Sequence, residues 1–261
     1  MNTSTSVLRV DDVHLAFKGV HAVSGVGFEV RPAELFAIIG PNGAGKTSVF
    51  NVISGVYRPQ RGRVQFLGED LLGLRPHVIA TRGVARTFQN IALFEHLTVL
   101  DNLMLGRHQH IRYGAAAAFL WRGRARTQEI EHRRFVEDIV DFLELEQWRS
   151  LPVGLLPYGV QRRVELGRAL ATEPKLLLLD EPVAGMNLEE TEDTARYILD
   201  IRDELDIPIV MVEHDMGLVM DIADRVLVLD FGLPIATGTP DQVQRDPDVV
   251  RAYLGQEVAA K

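Results

Sequence analysis

The stretch GPNGAGKT, residues 40–47, restricts the possible fold of this chain more than any other feature. It matches G-x-x-x-x-G-K-[ST], a pattern whose glycines let successive backbone N–H groups converge on phosphate oxygens. The apolar run ELFAIIG before it indicates a strand buried on both faces, and a helix is predicted to begin at Lys46. That helix would direct its positive end toward the same anion. The pattern therefore predicts an α/β fold with a phosphate site after a buried strand.

The individual residues of this loop have distinct predicted roles. Lys46 adds a positive charge over the phosphates, and the Thr47 hydroxyl is placed to ligate Mg²⁺. A glycine-rich turn without function is the alternative, and the fitting strand and helix on either side argue against it. The predicted nucleotide contacts of the loop are Gly40, Pro41, Asn42, Gly43, Ala44, Gly45, Lys46, Thr47 and Ser48.

A second buried strand ends in two carboxylates. In LLLLDE the four leucines predict a strand, and Asp180 follows at its carboxyl end, where α/β sheets bind ligands. We predict that Asp180 holds Mg²⁺ through a water, and that Glu181 orients or deprotonates the attacking water. An acidic pair after a strand is commonly only part of a turn. Behind a phosphate loop, it predicts a hydrolytic site.

Three single residues are candidates for the same site. Gln89, in VARTFQN, is predicted to reach Mg²⁺ and the water with its neutral amide, and a surface glutamine is the alternative. His214 ends the apolar run IVMVEH and is predicted to be catalytic, with a structural histidine as the alternative. Phe17 is the nearest aromatic residue upstream of the loop. It would either stack on a nucleotide base or pack in the core.

Composition excludes several other functions. The 261 residues contain no cysteine, so disulfides and thiolate metal sites are excluded, and the net charge of −8 argues against nonspecific nucleic-acid binding. The longest apolar runs are too short to cross a bilayer, and the first ten residues do not have the pattern of a signal peptide. We therefore expect a cytoplasmic chain whose membrane role, if any, depends on partners.

The pattern of elements changes along the chain. Strand-like segments fill the first third, helical periodicity dominates residues 90–157, and strands alternate with helices again after Gly159. This alternation predicts a parallel sheet covered by helices on both faces. Within a single domain of 261 residues, we predict a nucleotide-binding core (1–89 and 158–240), a helical subdomain (90–157) and a C-terminal tail (241–261).

The segment LLPYGVQRRVELGRAL, residues 155–170, resembles the signature helix of ATP-binding-cassette (ABC) ATPases. The order of GPNGAGKT, Gln89, LLLLDEP and EHD is similar to that family over nearly the whole chain. The resemblance implies a P-loop NTPase with a RecA-like mixed sheet, an N-terminal antiparallel β subdomain and an inserted helical subdomain. It also implies ATP and Mg²⁺ as cofactors and a head-to-tail dimer, in which Tyr158 and Gly159 contact the nucleotide of the partner.

The signature segment departs from the usual L-S-G-G-Q. Pro157 lacks the hydroxyl and N–H expected to reach the γ-phosphate, and Val160 lacks an amide. Asn187, in AGMN, stands where aspartate is usual. We expect a homodimer to hydrolyse ATP slowly for this reason. A non-identical ATPase subunit donating a better signature is the alternative.

Further segments, above all the tail GTPDQVQRDPDVVRAYLG, are similar to the ATPase subunits of branched-chain amino-acid uptake systems. This implies permease partners and, indirectly, an extracellular binding protein, with the chain peripheral on the cytoplasmic face of the membrane. Exposed Phe94 and Leu97 would contact the permease, or they would pack in the helical core. The seven arginines from Arg107 to Arg134 form either a solvated face or a face for headgroups or a permease loop. Importers of amides, urea or aromatic acids and a weakly hydrolysing clamp remain alternatives.

Overall fold

The protein is described by a computed structural model over residues 6–89, 91–110 and 124–259. The chain divides into two compact units. The first, here called the sheet unit, comprises Met1–Arg86, Lys175–Pro182 and Ala195–Lys261. The second, the helical unit, comprises Thr87–Pro174 and Val183–Thr194.

Both sheets of the described residues lie in the sheet unit. Their strands are β1 (Leu8–Phe17), β2 (Val20–Val30), β3 (Leu35–Ile39), β4 (Arg61–Phe66), β5 (Glu69–Asp70), β6 (Val84–Arg86), β7 (Leu176–Asp180), β8 (Ile209–Val212), β9 (Arg225–Asp230) and β10 (Leu233–Gly238). A six-stranded sheet has the order β10-β9-β3-β8-β7-β6 and a four-stranded sheet the order β2-β1-β4-β5. The larger sheet is parallel except for its edge strand β10, and the smaller is antiparallel. This mixed sheet with its antiparallel companion confirms the predicted α/β fold class.

The central strands are buried because their sequences carry no polar face. Every residue of β3, β7 and β8 is buried, as a parallel sheet with both faces covered requires. Side chains from these strands pack with Phe50 and Ile53, which belong to the helix after β3, in one hydrophobic core. The helices are α1 (Lys46–Ile53), α2 (Pro76–Thr81), α3 (Val99–Gly106), α4 (Arg124–Phe142), α5 (Tyr158–Leu170), α6 (Leu188–Glu204), α7 (Met216–Ile222), α8 (Pro240–Gln244) and α9 (Pro247–Ala259).

The helical unit is built around the packing of α3, α4 and α5. Thr98 caps the start of α3, because its hydroxyl accepts the backbone N–H of Asp101 at 3.1 Å. Gly167 allows α5 to lie close to its neighbours, since a Cβ there would meet Leu143 Cδ1 at 3.0 Å and Leu103 Cδ2 at 3.3 Å. The regularly spaced apolar side chains of α3 and α4, together with those of α5, therefore form the core of this unit.

Two surface expectations can be compared with these positions. Phe94 is 58% exposed and Leu97 37% exposed, which is contrary to a place in the helical core. Arg107 is buried and paired with Glu173 at 2.6 Å, so it belongs to neither a solvated nor a lipid-facing run of arginines. Of the other six arginines in that run, those at 112 and 122 lie outside the described residues, and nothing is assigned to the side chains at 124 and 126. Across the described chain, no helix is both long and apolar enough to cross a bilayer.

Candidate functional site

The loop after β3 depends on glycine at two positions for close backbone packing. Gly40 has φ 148° and Gly45 has φ 98°, in the region that side chains disfavour. A Cβ on Gly40 would lie 2.1 Å from the Leu229 carbonyl oxygen, and one on Gly45 would lie 2.4 Å from that of Ala22. The loop is therefore held directly against β9 and β2, which fixes the direction in which α1 begins.

Lys46 lies inside this loop with its ammonium group on backbone oxygens. Its side-chain Nζ donates to the carbonyl of Gly40 at 2.6 Å and to that of Pro41 at 3.1 Å. Burial lowers the pKa of Lys46, and the negative charges of Glu181, Asp180 and Glu213 oppose that lowering. The predicted phosphate-binding cation and the predicted acidic pair are thus within electrostatic reach of each other.

The N-terminus of α1 is suited to anions. Its N-cap, Gly45, is left-handed and provides no side-chain hydrogen bond, and no acidic residue lies in the first turn of this described helix. The first N–H groups of a helix have no acceptor within the helix, and its dipole favours negative charge there. Thr47 and Ser48 belong to this first turn, as the sequence pattern predicted.

Asp180 ends β7 as predicted and is held by an arginine. Its Oδ2 accepts a hydrogen bond from Arg86 Nη2 at 2.7 Å, and both side chains are almost fully buried. Arg86 Nη1 also donates to Asn51 Oδ1 at 2.8 Å and Ser54 Oγ at 2.9 Å, both on or next to α1. The Arg86 guanidinium lies 5.5 Å from the centre of the Phe50 ring. Arg86 therefore joins the acidic strand to the helix that follows the phosphate loop.

Glu181 and His214 come together at the ends of neighbouring strands. The backbone N–H of Glu181 donates to Val212 O at 2.8 Å, and its φ of 49° is a strained value for a residue with a side chain. His214 Nδ1 lies 3.9 Å from Glu181 Oε2 and 3.6 Å from Glu213 Oε2. The buried Glu213 carboxylate also accepts the backbone N–H of His214 at 2.9 Å. Glu213 thus fixes the backbone that carries His214.

Phe17 also belongs to the sheet unit. It is 43% exposed, and its ring makes an edge-to-face contact with Tyr57 at 4.9 Å between centroids. Core packing is therefore not its role, whereas base stacking stays a prediction.

The remaining predicted residues belong to the helical unit. The Gln89 side chain is exposed, and its backbone oxygen accepts from Arg162 Nη2 at 2.5 Å. Tyr158 begins α5 and is 41% exposed, and Gly159 is buried next to it. The structure brings Gln89 and Tyr158 together through Arg162, a contact that concerns this unit alone.

Three residues were missed by sequence reasoning. Arg86 and Glu213 are polar residues at or just after the ends of buried strands, and the rule that selected Asp180 would have found them. Arg162 lies on the buried face of an amphipathic helix, where an arginine is unusual. A charged residue at an apolar position of the helical pattern was the available signal.

The loop, the acidic strand end and the signature segment together define an ATP-binding cassette. Residues 23–184 match the family described as ABC transporter, and the chain belongs to that family. Residues 234–259 match the family described as branched-chain amino acid ATP-binding cassette transporter.

Relatives cover almost the full length of the chain. The high-affinity branched-chain amino acid transport ATP-binding proteins BraF of Pseudomonas aeruginosa and LivG of Escherichia coli K12 are each 40% identical, over 97% of this chain and 99% of theirs. The lipopolysaccharide export system ATP-binding protein LptB of Haemophilus influenzae is 32% identical over 97% of this chain and 98% of its own.

Solved structures agree with the fold. A nucleotide-free cassette of an ABC transporter aligns with a TM-score of 0.83 and 30% identity, over 95% of this chain and 99% of that one. The ADP conformation of the cassette MJ1267 aligns with a TM-score of 0.83 and 29% identity, over 96% and 99%.

Proposed function

We propose that this chain is the ATP-binding and ATP-hydrolysing subunit of a membrane importer for branched-chain or other amino acids. The observation that carries the hydrolytic part is the carboxyl edge of the larger sheet, where the loop with Lys46 follows β3 and the carboxylates of Asp180 and Glu181 lie at the end of β7. A cation for phosphate and carboxylates for metal and water are what phosphoryl transfer to water requires. Similarity to ABC transporter ATPases does not by itself identify the cargo, since the relative LptB belongs to a lipopolysaccharide export system. The proposal of amino acids as cargo therefore rests on the similarity to BraF and LivG and on the C-terminal family match.

Different residues of the sheet unit would bind the phosphates, position the attacking water and contact the base. Backbone N–H groups of the loop and the start of α1 bind the phosphates, and Lys46 neutralises part of their charge. Glu181 orients the attacking water and accepts its proton. His214, whose backbone Glu213 holds, supplies a second polar group next to Glu181. Phe17 offers an exposed ring for the base.

The donor atoms in this unit fit Mg²⁺. The described residues contain no cluster of three or more histidine or acidic side chains that would form an all-protein metal cage. Mg²⁺ usually keeps several waters and takes one or two protein oxygens together with substrate phosphates. Thr47 and Asp180 offer such oxygens, and Gln89 is a further ligand that we propose. Bound there, the ion would neutralise charge on the phosphates.

The subunit is proposed to act with partners at the cytoplasmic face of the cell membrane. A second cassette, identical or not, would present Tyr158 and Gly159 to the nucleotide, and permease subunits and an external binding protein would complete the importer. Nucleic acid is not a proposed partner. The division into an ATP-binding core (1–89 and 158–240), a helical subdomain (90–157) and a tail (241–261) remains part of this proposal.

A second candidate is a nucleotide-dependent clamp with weak hydrolysis. Val160 is 6% exposed, so its side chain packs into the helical unit where the usual motif has a polar amide. Pro157 is the N-cap of α5 and makes no side-chain hydrogen bond. Both departures weaken the surface offered to a partner's nucleotide.

Steady-state phosphate release with Mg²⁺ and ATP tests the proposal. We expect turnover by the unaltered chain, full ATP binding without turnover in Glu181→Gln, and weakened ATP binding in Lys46→Ala. Arg163→Lys, a charge-conserving change outside the sheet unit, is the control for general damage. Binding without release by the unaltered chain, alone and with its permease, favours the clamp. Equal release by Glu181→Gln removes that residue from the mechanism.

A further inference from the structure

Arg162 is an unusually connected buried side chain of the helical unit. Its Nη1 donates to Phe88 O at 3.0 Å and Glu165 Oε2 at 3.1 Å, and its Nη2 donates to Gln89 O at 2.5 Å. Its Nε and Nη2 donate to the Tyr158 hydroxyl at 3.1 Å and 2.8 Å. These five bonds match the five N–H donors of a guanidinium, which a lysine with three donors cannot reproduce.

Tyr158 extends this network to a third segment. Its hydroxyl, which accepts from Arg162, donates to the backbone oxygen of Ala184 at 3.1 Å. Its ring also lies 3.7 Å from the position that a Cβ on Gly185 would occupy. A tyrosine that replaces the first glycine of the usual signature is therefore bound to the turn 183–187. The side chains of Tyr158 and Arg162 therefore connect three segments: the turn 183–187, the beginning of α5 and the backbone at Gln89.

The same turn is closed from its other end. Asn187 Oδ1 accepts the backbone N–H of Glu190 at 3.0 Å, and Glu190 Oε2 accepts that of Asn187 at 3.1 Å. A Cβ on Gly159 would lie 2.7 Å from Glu190 Oε1, so the signature glycine packs directly against this carboxylate. Asparagine at 187 keeps the reciprocal cap that starts α6.

We propose that Tyr158 and Arg162 are positioning residues, which hold the turn 183–187 and the Gln89 backbone to the start of α5 as one rigid surface. This inference rests on the proposed function, because that surface is the part offered to a partner's nucleotide. Pro157 and Val160 remove polar contacts from the surface, whereas the internal hydrogen bonds keep its backbone in place. The network acts on turnover through geometry, and it does not contribute to ATP binding by the loop of its own chain.

Three variants of the full chain test this. Tyr158→Phe removes only the hydroxyl. Arg162→Lys keeps the positive charge but loses the five N–H donors of the guanidinium. Arg163→Lys is the matched control on the same helix. We expect kcat for phosphate release to fall about three- to tenfold in Tyr158→Phe, as the loss of a net hydrogen bond implies, and further in Arg162→Lys. At chain concentrations too low for pairing, binding of N-methylanthraniloyl-ATP should stay within about twofold of the unaltered chain, since these residues lie outside the phosphate loop of their own chain.

Amide hydrogen exchange of the nucleotide-free chain gives a readout that does not need catalysis. We expect faster exchange at residues 183–187 in Tyr158→Phe and Arg162→Lys, and unchanged exchange in Arg163→Lys. Unchanged exchange at that turn overturns the proposal, as does an unchanged kcat or an equal loss in the control. A loss of ATP binding in parallel with kcat also overturns it, because that result indicates general structural damage. Absent turnover in the unaltered chain, alone and with its permease, contradicts the proposed hydrolysis, while exchange still decides whether the network exists.

Discussion

Replacing Arg86 by leucine tests how the acidic strand is held. The change removes the 2.7 Å bond to Asp180 and the bonds to Asn51 and Ser54 while keeping most of the apolar volume against Phe50. Both charged side chains are at most 9% exposed, so the Asp180 carboxylate would lose its strongest neighbour without gaining water. Breaking a buried pair in this way costs roughly 3–5 kcal/mol.

For a chain of this length that loss lowers the melting temperature by about 6–20 °C, at about 2–4 °C per kcal/mol. Differential scanning calorimetry measures the shift. The control is Arg9→Leu, which removes a half-exposed pair with Asp11 and should leave the melting temperature unchanged. Adding Asp180→Asn to Arg86→Leu should recover part of the loss, because it removes the orphaned charge, with a coupling of about 1 kcal/mol or more. An unchanged melting temperature in Arg86→Leu, or strictly additive effects of the two changes, would show that Arg86 does not stabilise the Asp180 carboxylate.

Three further predictions concern stability. Gly45→Ala should destabilise the chain more than Gly43→Ala in thermal denaturation, because only at Gly45 would the new Cβ meet a backbone oxygen, at 2.4 Å. Burial, then a neighbouring guanidinium, lowers the pKa of His132 below its usual 6.5. The unfolded chain therefore takes up this proton first, and stability should fall as pH drops below about 6.5, less so in His132→Gln. Burial raises the pKa of Tyr253 from 10.0 to about 12. Stability should therefore fall as pH rises above about 10, where only the unfolded chain ionises, and Tyr253→Phe should remove this loss in alkaline denaturation.

The sheet and its binding edge followed from local sequence. Continuous apolar runs such as LLLL at 176–179 can only be buried on both faces, and polar residues directly after them must lie at the carboxyl edge. Because this reasoning needs no long-range contact, it placed Asp180, Glu181 and His214 at neighbouring strand ends. The glycines of the phosphate loop were equally readable, since positive φ is a local property.

The hydrogen-bond partners of these residues could not be predicted from local sequence. Arg86 and Asp180 are 94 positions apart, and their pairing depends on β6 lying next to β7. The Arg162 network likewise joins segments more than seventy positions apart. In a single sequence, an arginine at an apolar position of a helix indicates that the side chain needs buried acceptors. Which acceptors it finds is set by tertiary packing and cannot be read from the sequence. The departure at Asn187 was recognised, but the internal hydrogen bonds of Asn187 and Tyr158 were not.

We propose that nucleotide is held between two polypeptides, and the mass of the Glu181→Gln variant in solution reports such pairing. Light scattering at saturating Mg²⁺ and ATP should give twice the 29.1 kDa of one chain, or a cassette pair when copurified with its membrane partners. Without nucleotide, or with Lys46→Ala added, the mass should return to that of one chain. A mass of one chain under every one of these conditions would show that the nucleotide is not held between two chains.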